Sequence, residues 1–122
     1  LILHLVDRER FDPIVPAADP LIMVSAQKHA KERITKSYVK FHDCEYKSNF
    51  SLNKKDDLAT FVEKIKNDSD GHIRQNNHKL YMMPQKEILK LAKDVGFIMQ
   101  SKTEMKKCQY EHQFIYVLTK PN

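Results

Sequence analysis

Glycine is almost missing from this sequence, with two in 122 residues, and tryptophan is missing altogether. So little glycine leaves no room for the glycine-rich loops that cradle phosphates or nucleotides, because Gly71 lies in a turn-like run and Gly96 at the end of a helical pattern. Two cysteines, Cys44 and Cys108, are too few for a disulfide framework. No apolar run approaches the ~18 residues of a membrane helix, and no basic-then-apolar leader precedes Leu1, so a soluble, cytoplasmic chain with free thiols is expected and a membrane partner is not. The sequon Asn49-Phe50-Ser51 then carries no weight. There is no initiating methionine: the chain opens inside the apolar run Leu1-Ile2-Leu3-His4-Leu5-Val6, as a segment of something longer would.

What is present is enough for one folded domain. Hydrophobic residues make up 41% of the chain, which argues against disorder, and a domain of this length buries roughly 65% of its unfolded surface. The net charge of +5 comes mostly from seventeen lysines against four arginines. Lysines spread singly read as a solvated surface, whereas readers of bases and phosphates favour arginine clusters and stacking aromatics, which argues against nucleic acid as a partner.

The apolar run Leu1–Val6 suits a strand buried on both faces. Pro13, Pro16 and Pro20 then forbid regular structure and mark a loop. Ser25 is placed to cap a short helix, Ala26–Ile34. From Tyr38 the pattern turns to period two, with Val39 and Phe41, then Tyr46 and Phe50, on two antiparallel strands. Leu58–Lys66 fits either a helix capped by Asp57 or a strand; the turn-rich Asn67–Gly71 and a return arm carrying Ile73, Leu80 and Met82 favour the strand. Pro84 suits a helix start, Glu87 its first turn, and Ile88, Leu91, Ala92 and Val95 one helical face. Gly96 ends that helix, Phe97–Ser101 follows as a strand, and His112–Thr119 is the last strand.

This order resembles the C-terminal half of a class I S-adenosylmethionine-dependent methyltransferase, where a helix ending in Val95-Gly96-Phe97 fashion leads into the sixth strand, itself paired with an antiparallel seventh. By that resemblance Leu1–Val6 matches the fifth strand, Lys86–Val95 the last helix, Phe97–Ser101 the sixth strand and Phe114–Leu118 the seventh. The strand-rich stretch 36–83 is similar to the insertion of glycine N-methyltransferase-like members, as are Asp7-Arg8-Glu9-Arg10-Phe11-Asp12 and Phe114–Leu118. Within the first of these, Asp7, Phe11 and Asp12 line up with the family's motif, and its arginine meets Glu9. The implied fold class is α+β as it stands, a mostly antiparallel sheet with one or two packed helices, within a single partial methyltransferase domain.

The resemblance implies transfer of a methyl group from S-adenosylmethionine to a nucleophile in the full-length parent, chemistry in which the protein chiefly aligns donor and acceptor. The family's glycine-rich loop and ribose-binding acid are not in these residues, so no cofactor is expected to bind this chain alone, which should be inert. The substrate-side candidates are Asp7, Arg8, Arg10 and Phe11, which follow the strand's C-terminal end, with His4 on the strand as a base or a buried core histidine. His42, Cys44, Cys108 and His112 do not form a recognised set of zinc ligands, and no metal is assigned. Tyr38, Tyr46, Tyr81, Tyr110 and Tyr116 are expected mainly on strand edges, and Met82, Met83 and Met99 as core fillers. The rival reading is a small non-enzymatic α+β binding module with a basic surface. Because Leu1–Val6 would present an unpaired apolar edge, a homodimer through that edge is expected.

Overall fold

Among the described residues two sheets form, and every strand pairing in them is antiparallel. The computed structural model describes residues 1–13, 30–108 and 110–122, and its chain divides into two compact units, residues 1–12 with 83–122, and residues 13–82.

In the first unit β1 (Ile2–Val6), β7 (Gln113–Thr119) and β6 (Ile98–Glu104) lie in the order β1-β7-β6, with α1 (Gln85–Asp94) preceding β6 and a single 3₁₀ turn (Met105–Cys108) following it. The last strand is therefore antiparallel to both neighbours, in keeping with what the methyltransferase resemblance implies for it. Alternation along β7 sends Phe114, Tyr116 and Leu118 to one face, where Tyr116 and Leu118 bury with Ala92 of α1. Leu3 and Leu5 of β1, Leu89 of α1 and Phe97 complete this core. The Tyr116 hydroxyl, carried into the core, donates to Gln85 Oε1 at 2.7 Å, which satisfies a polar group that would otherwise be costly to bury.

The helix end explains the glycine. Gly96 adopts φ +94, its N–H donates to the Lys93 carbonyl at 2.9 Å, and the Phe97 N–H donates to the Ala92 carbonyl at 3.0 Å. This paired closure is the Schellman arrangement, and it turns the chain directly from α1 toward β6. Pro84 stands at the N-cap with extended backbone, one position before the first turn where the sequence reading put it, and its carbonyl accepts from the Glu87 and Ile88 amides.

The second unit is a four-stranded meander, β2 (Lys36–Lys40), β3 (Cys44–Asn53), β4 (Leu58–Asn67) and β5 (Ile73–Tyr81), in sequence order. The ambiguous 58–66 stretch is thus a strand, because Phe50, Phe61, Leu52 and Ala59 share one face by cross-strand pairing, where Phe50 and Ala59 are buried and Phe61 and Leu52 half-buried. Side-chain acceptors shape its hairpins. Asn53 Oδ1 takes the Lys55 amide, Asn67 Oδ1 takes the Ser69 amide, and Gly71 supplies the left-handed residue at φ +69.

Three expectations change. The run at residues 1–6 is not buried on both faces: it is the outer strand of the order β1-β7-β6, Leu3 and Leu5 pack toward the helix, and Ile2 on the other face is 70% exposed. The helix expected over 26–34 has its capping Ser25 and its first turn outside the described residues, and Ala30 to Ile34 are not helical. Instead the Thr35 carbonyl accepts from the Phe50 amide at 2.8 Å, and Arg33 lies over the Phe50 ring. Tyr116 is not at a strand edge but buried in the central strand of its sheet. A fourth changes with them: Met99, expected as a core filler, is 51% exposed on β6, while Met82 and Met83 are half-buried.

Candidate functional site

Beyond Val6 the ladder to β7 gives one more bond, from the Asp7 N–H to the His112 carbonyl at 2.8 Å, and there the chain turns. Asp7 builds that turn with both its acceptors: its carbonyl takes the amides of Arg10 (3.0 Å) and Phe11 (2.9 Å), and its carboxylate takes the Glu9 amide at 3.2 Å. The residue the resemblance makes a substrate contact is therefore first a turn former. Arg8 and Phe11 are half-buried and Arg10 is exposed, so this turn carries two guanidinium groups and a ring past the C-terminal end of β1.

His4 shares the β1 face of Ile2 and Val6, opposite the helix. It is exposed, and its Nε2 lies 2.9 Å from Gln113 Oε1 on β7, so the buried-core alternative for this histidine does not hold. The neighbouring strand orients the ring.

A second constellation lies in the four-stranded sheet and was missed by reading the sequence. Tyr46, Ser48, Glu63, Asn76 and His78 sit on the face that also holds Phe50 and Phe61. The Tyr46 hydroxyl donates to Glu63 Oε1 at 2.6 Å, and His78 Nε2 lies 3.0 Å from Glu63 Oε2. The bond from Tyr46, with a smaller contribution from His78, holds the Glu63 carboxyl below its usual range despite the opposing effect of burial. Burial, followed by the bond to Glu63, raises the Tyr46 hydroxyl above its ordinary value. The result is an ionised carboxylate gripped between a neutral phenol and an imidazole, with the Phe61 ring 6.0 Å from that imidazole. The signal was in the sequence: Glu63 alternates with Phe61 and Ile65 on the apolar side of its strand, where a charge needs partners.

Between α1 and β6 runs a groove of about 480 Å³ lined by Leu89, Lys93, Phe97, Ile98, Met99 and Leu118. It holds no carboxylate or imidazole. Among the described residues no three His, Cys, Asp or Glu side chains converge as metal ligands; Cys44 begins β3 and Cys108 ends the 3₁₀ turn. Neither glycine follows a strand into a helix, since Gly71 is in a hairpin and Gly96 ends α1. Neither is thus placed as in a glycine-rich cofactor loop, and no chemical step through S-adenosylmethionine is assigned to the described residues.

This architecture is similar to that of two solved enzymes. One is an S-adenosylmethionine-dependent methyltransferase from Clostridium acetobutylicum ATCC 824, with a TM-score of 0.51 over 71% of the present chain at 12% identity. The other is the CcbJ methyltransferase from Streptomyces caelestis, with a TM-score of 0.63 over 99% of the chain at 6% identity. The fold is methyltransferase-like. At such identities the likeness concerns the backbone alone, and the chain spans 37% and 43% of the lengths of those two proteins. No protein-family profile matches the sequence, and no curated protein matches it. No helix among the described residues is long and apolar enough to cross a membrane.

Proposed function

We propose that this chain is the C-terminal part of a cytoplasmic S-adenosylmethionine-dependent methyltransferase whose cofactor-binding half lies outside it. The observation that carries this reading is the reversed central strand: β7 runs antiparallel to both β1 and β6, and a glycine-capped helix enters β6, in a fold similar to two methyltransferases. In this reading the four-stranded sheet is a substrate-side insertion of the glycine N-methyltransferase-like kind, placed after the strand at 2–6. His4, Asp7, Arg8, Arg10 and Phe11 are its substrate-side residues, with Asp7 shaping the turn that presents the others. By itself the chain is inert, because the amides and acid that hold the cofactor belong to the other half.

The reading frame upstream of Leu1 tests this. A continuous frame encoding a strand, a glycine-rich loop and an acid at the end of a second strand is the expected result. A start codon immediately before Leu1 contradicts it and favours the non-enzymatic binding module.

We further propose that the isolated chain self-associates through β1, a reading supported by its place as the outer strand and by the 70% exposure of Ile2, with Leu1 just before it at 54%. Twofold pairing through β1 gives a closed dimer. Light scattering of the isolated chain is expected to give the dimer mass, and an Ile2→Lys variant the monomer mass; a wild-type chain that stays monomeric at high concentration removes this part of the proposal.

A further inference from the structure

The lysines that lie singly in the sequence are gathered by the period-two geometry of the second sheet. Residues paired directly across antiparallel strands share a face. By that pairing Lys36, Lys40, Lys47, Lys64, Lys66 and Lys79 all lie on the face opposite Phe50 and Glu63, and all six are exposed. Of the two acids in these four strands, Glu63 is on the other face and only Glu45 joins the lysines. Asp43, Asp56, Asp57, Asp68 and Asp70 fall in the turns at the rim. Lys40 reaches two of these rim and face acids, Asp68 and, at 4.0 Å, Glu45; the other five lysines form no ion pair among the described residues.

A solvated sheet face is normally polar, with both signs interspersed. Here one row runs Tyr38, Lys47, Lys64, Gln75 across all four strands, with two ammonium groups directly opposite each other, an arrangement that costs stability in the free protein. An anion laid along the row offsets that cost. Two phenol rings stand on the same face, Tyr38 at 55% exposure with Lys47 Nζ over its ring and its hydroxyl donating to Glu45, and Tyr81 at 66%, and Asn49 and Asn77 share that face. Strand spacing makes this surface roughly 15 Å wide. A basic surface with exposed rings suits a chain of phosphates carrying a stackable base at every unit better than it suits a run of acidic residues. Lysine, a point charge without the guanidinium fork, suits phosphate contact without base reading.

We propose that the lysine face of β2–β5 binds single-stranded nucleic acid through its phosphate backbone, without base specificity. This does not depend on the methyltransferase reading: either can fail alone.

Fluorescence anisotropy of the whole chain with a short fluorescein-labelled oligothymidylate is the test. Binding is expected, with log K falling against log salt at a slope of roughly −3.5 for about five neutralised phosphates. The double variant Lys47→Gln, Lys64→Gln is expected to lose about tenfold in affinity and to flatten the slope by about 1.4, while folding at least as well because the like-charge pair is gone. Tyr81→Ala should lose about tenfold without changing the slope. Lys86→Gln with Lys90→Gln on α1 should change neither. No binding at low salt overturns the proposal, as does an equal loss in the α1 variant. Competition by polyglutamate as strong as by the oligonucleotide overturns it in favour of an acidic polypeptide, and binding to phosphatidylserine vesicles without binding to the oligonucleotide overturns it in favour of a membrane surface.

Discussion

The two units of the molecule are held together by different means. The first packs a helix onto a sheet, so its core of Ala92, Tyr116 and Leu118 depends on contacts between elements far apart in sequence, as in the pairing of residues 2–6 with 113–117. The second is a meander whose strands pair only with their sequence neighbours, and whose interior face mixes Phe50 and Ala59 with a polar grid of Ser37, Ser48, Tyr46, Glu63 and His78. A helix-on-sheet core tolerates few polar atoms and is broken by the loss of volume. A meander with a polar interior is broken by the loss of hydrogen bonds and is sensitive to pH.

That contrast is sharpest at Tyr116. Replacing it by alanine removes a ring that is 3% exposed and should cost the first unit about 3–5 kcal/mol. Amide hydrogen exchange should show protection lost in β1, β6, β7 and α1 and retained in β3 and β4. Loss of protection in both units together would show that they do not fold separately. Gly96→Ala should cost less, about 1–2 kcal/mol, and in the same unit. Its Cβ would meet only Lys120 Cε at 3.7 Å, so the cost lies in the backbone at φ +94 and not in crowding. A melting temperature unchanged by this substitution would contradict the capping account.

Glu63→Gln should cost the second unit about 1 kcal/mol, since the amide keeps one bond and loses charge assistance. The pH dependence follows from the sign of each shift. The lowered Glu63 value stabilises the fold above the ordinary carboxylate range, and that contribution disappears as pH falls through the folded value below 4.5. The raised Tyr46 value works in the opposite direction: it stabilises below 10 and is lost as pH rises through the folded value above that. Acid titration of the wild type should therefore destabilise the second unit over a range in which Glu63→Gln is flatter. Equal acid sensitivity in the two proteins would remove Glu63 from this role.

Most of the first unit was legible because it is punctuated. Pro84, the spaced apolar face of α1 and Gly96 mark a helix and its exit, whereas the reversed β7 was expected from the methyltransferase resemblance and not from the residues themselves. The apolar run at residues 1–6 misled because composition reports hydrophobicity and not the number of neighbours: an outer strand can be as apolar as a central one. In the second unit the strands were legible from alternation and the turn at 67–71, but the Tyr46–Glu63–His78 cluster was not. Its members are 17 and 15 residues apart and meet only through the β3–β4 and β4–β5 registers. The lysine face was hidden for the same reason, since Lys47 and Lys64 become neighbours only when the hairpin closes. Of the substrate-side candidates, the position of Asp7 at the end of a strand was readable, whereas its use as a turn former depends on backbone geometry that sequence spacing does not carry.

The central claim, that the three-stranded sheet is the closing part of a methyltransferase whose cofactor half lies elsewhere, is tested most directly by paired calorimetric titrations of S-adenosylmethionine into this chain and into the product of its full upstream reading frame. The account predicts no saturable heat for the chain alone and a dissociation constant in the low micromolar range, about −8 kcal/mol, for the longer product. Low-micromolar binding by this chain alone, or no binding by the longer product, would contradict it.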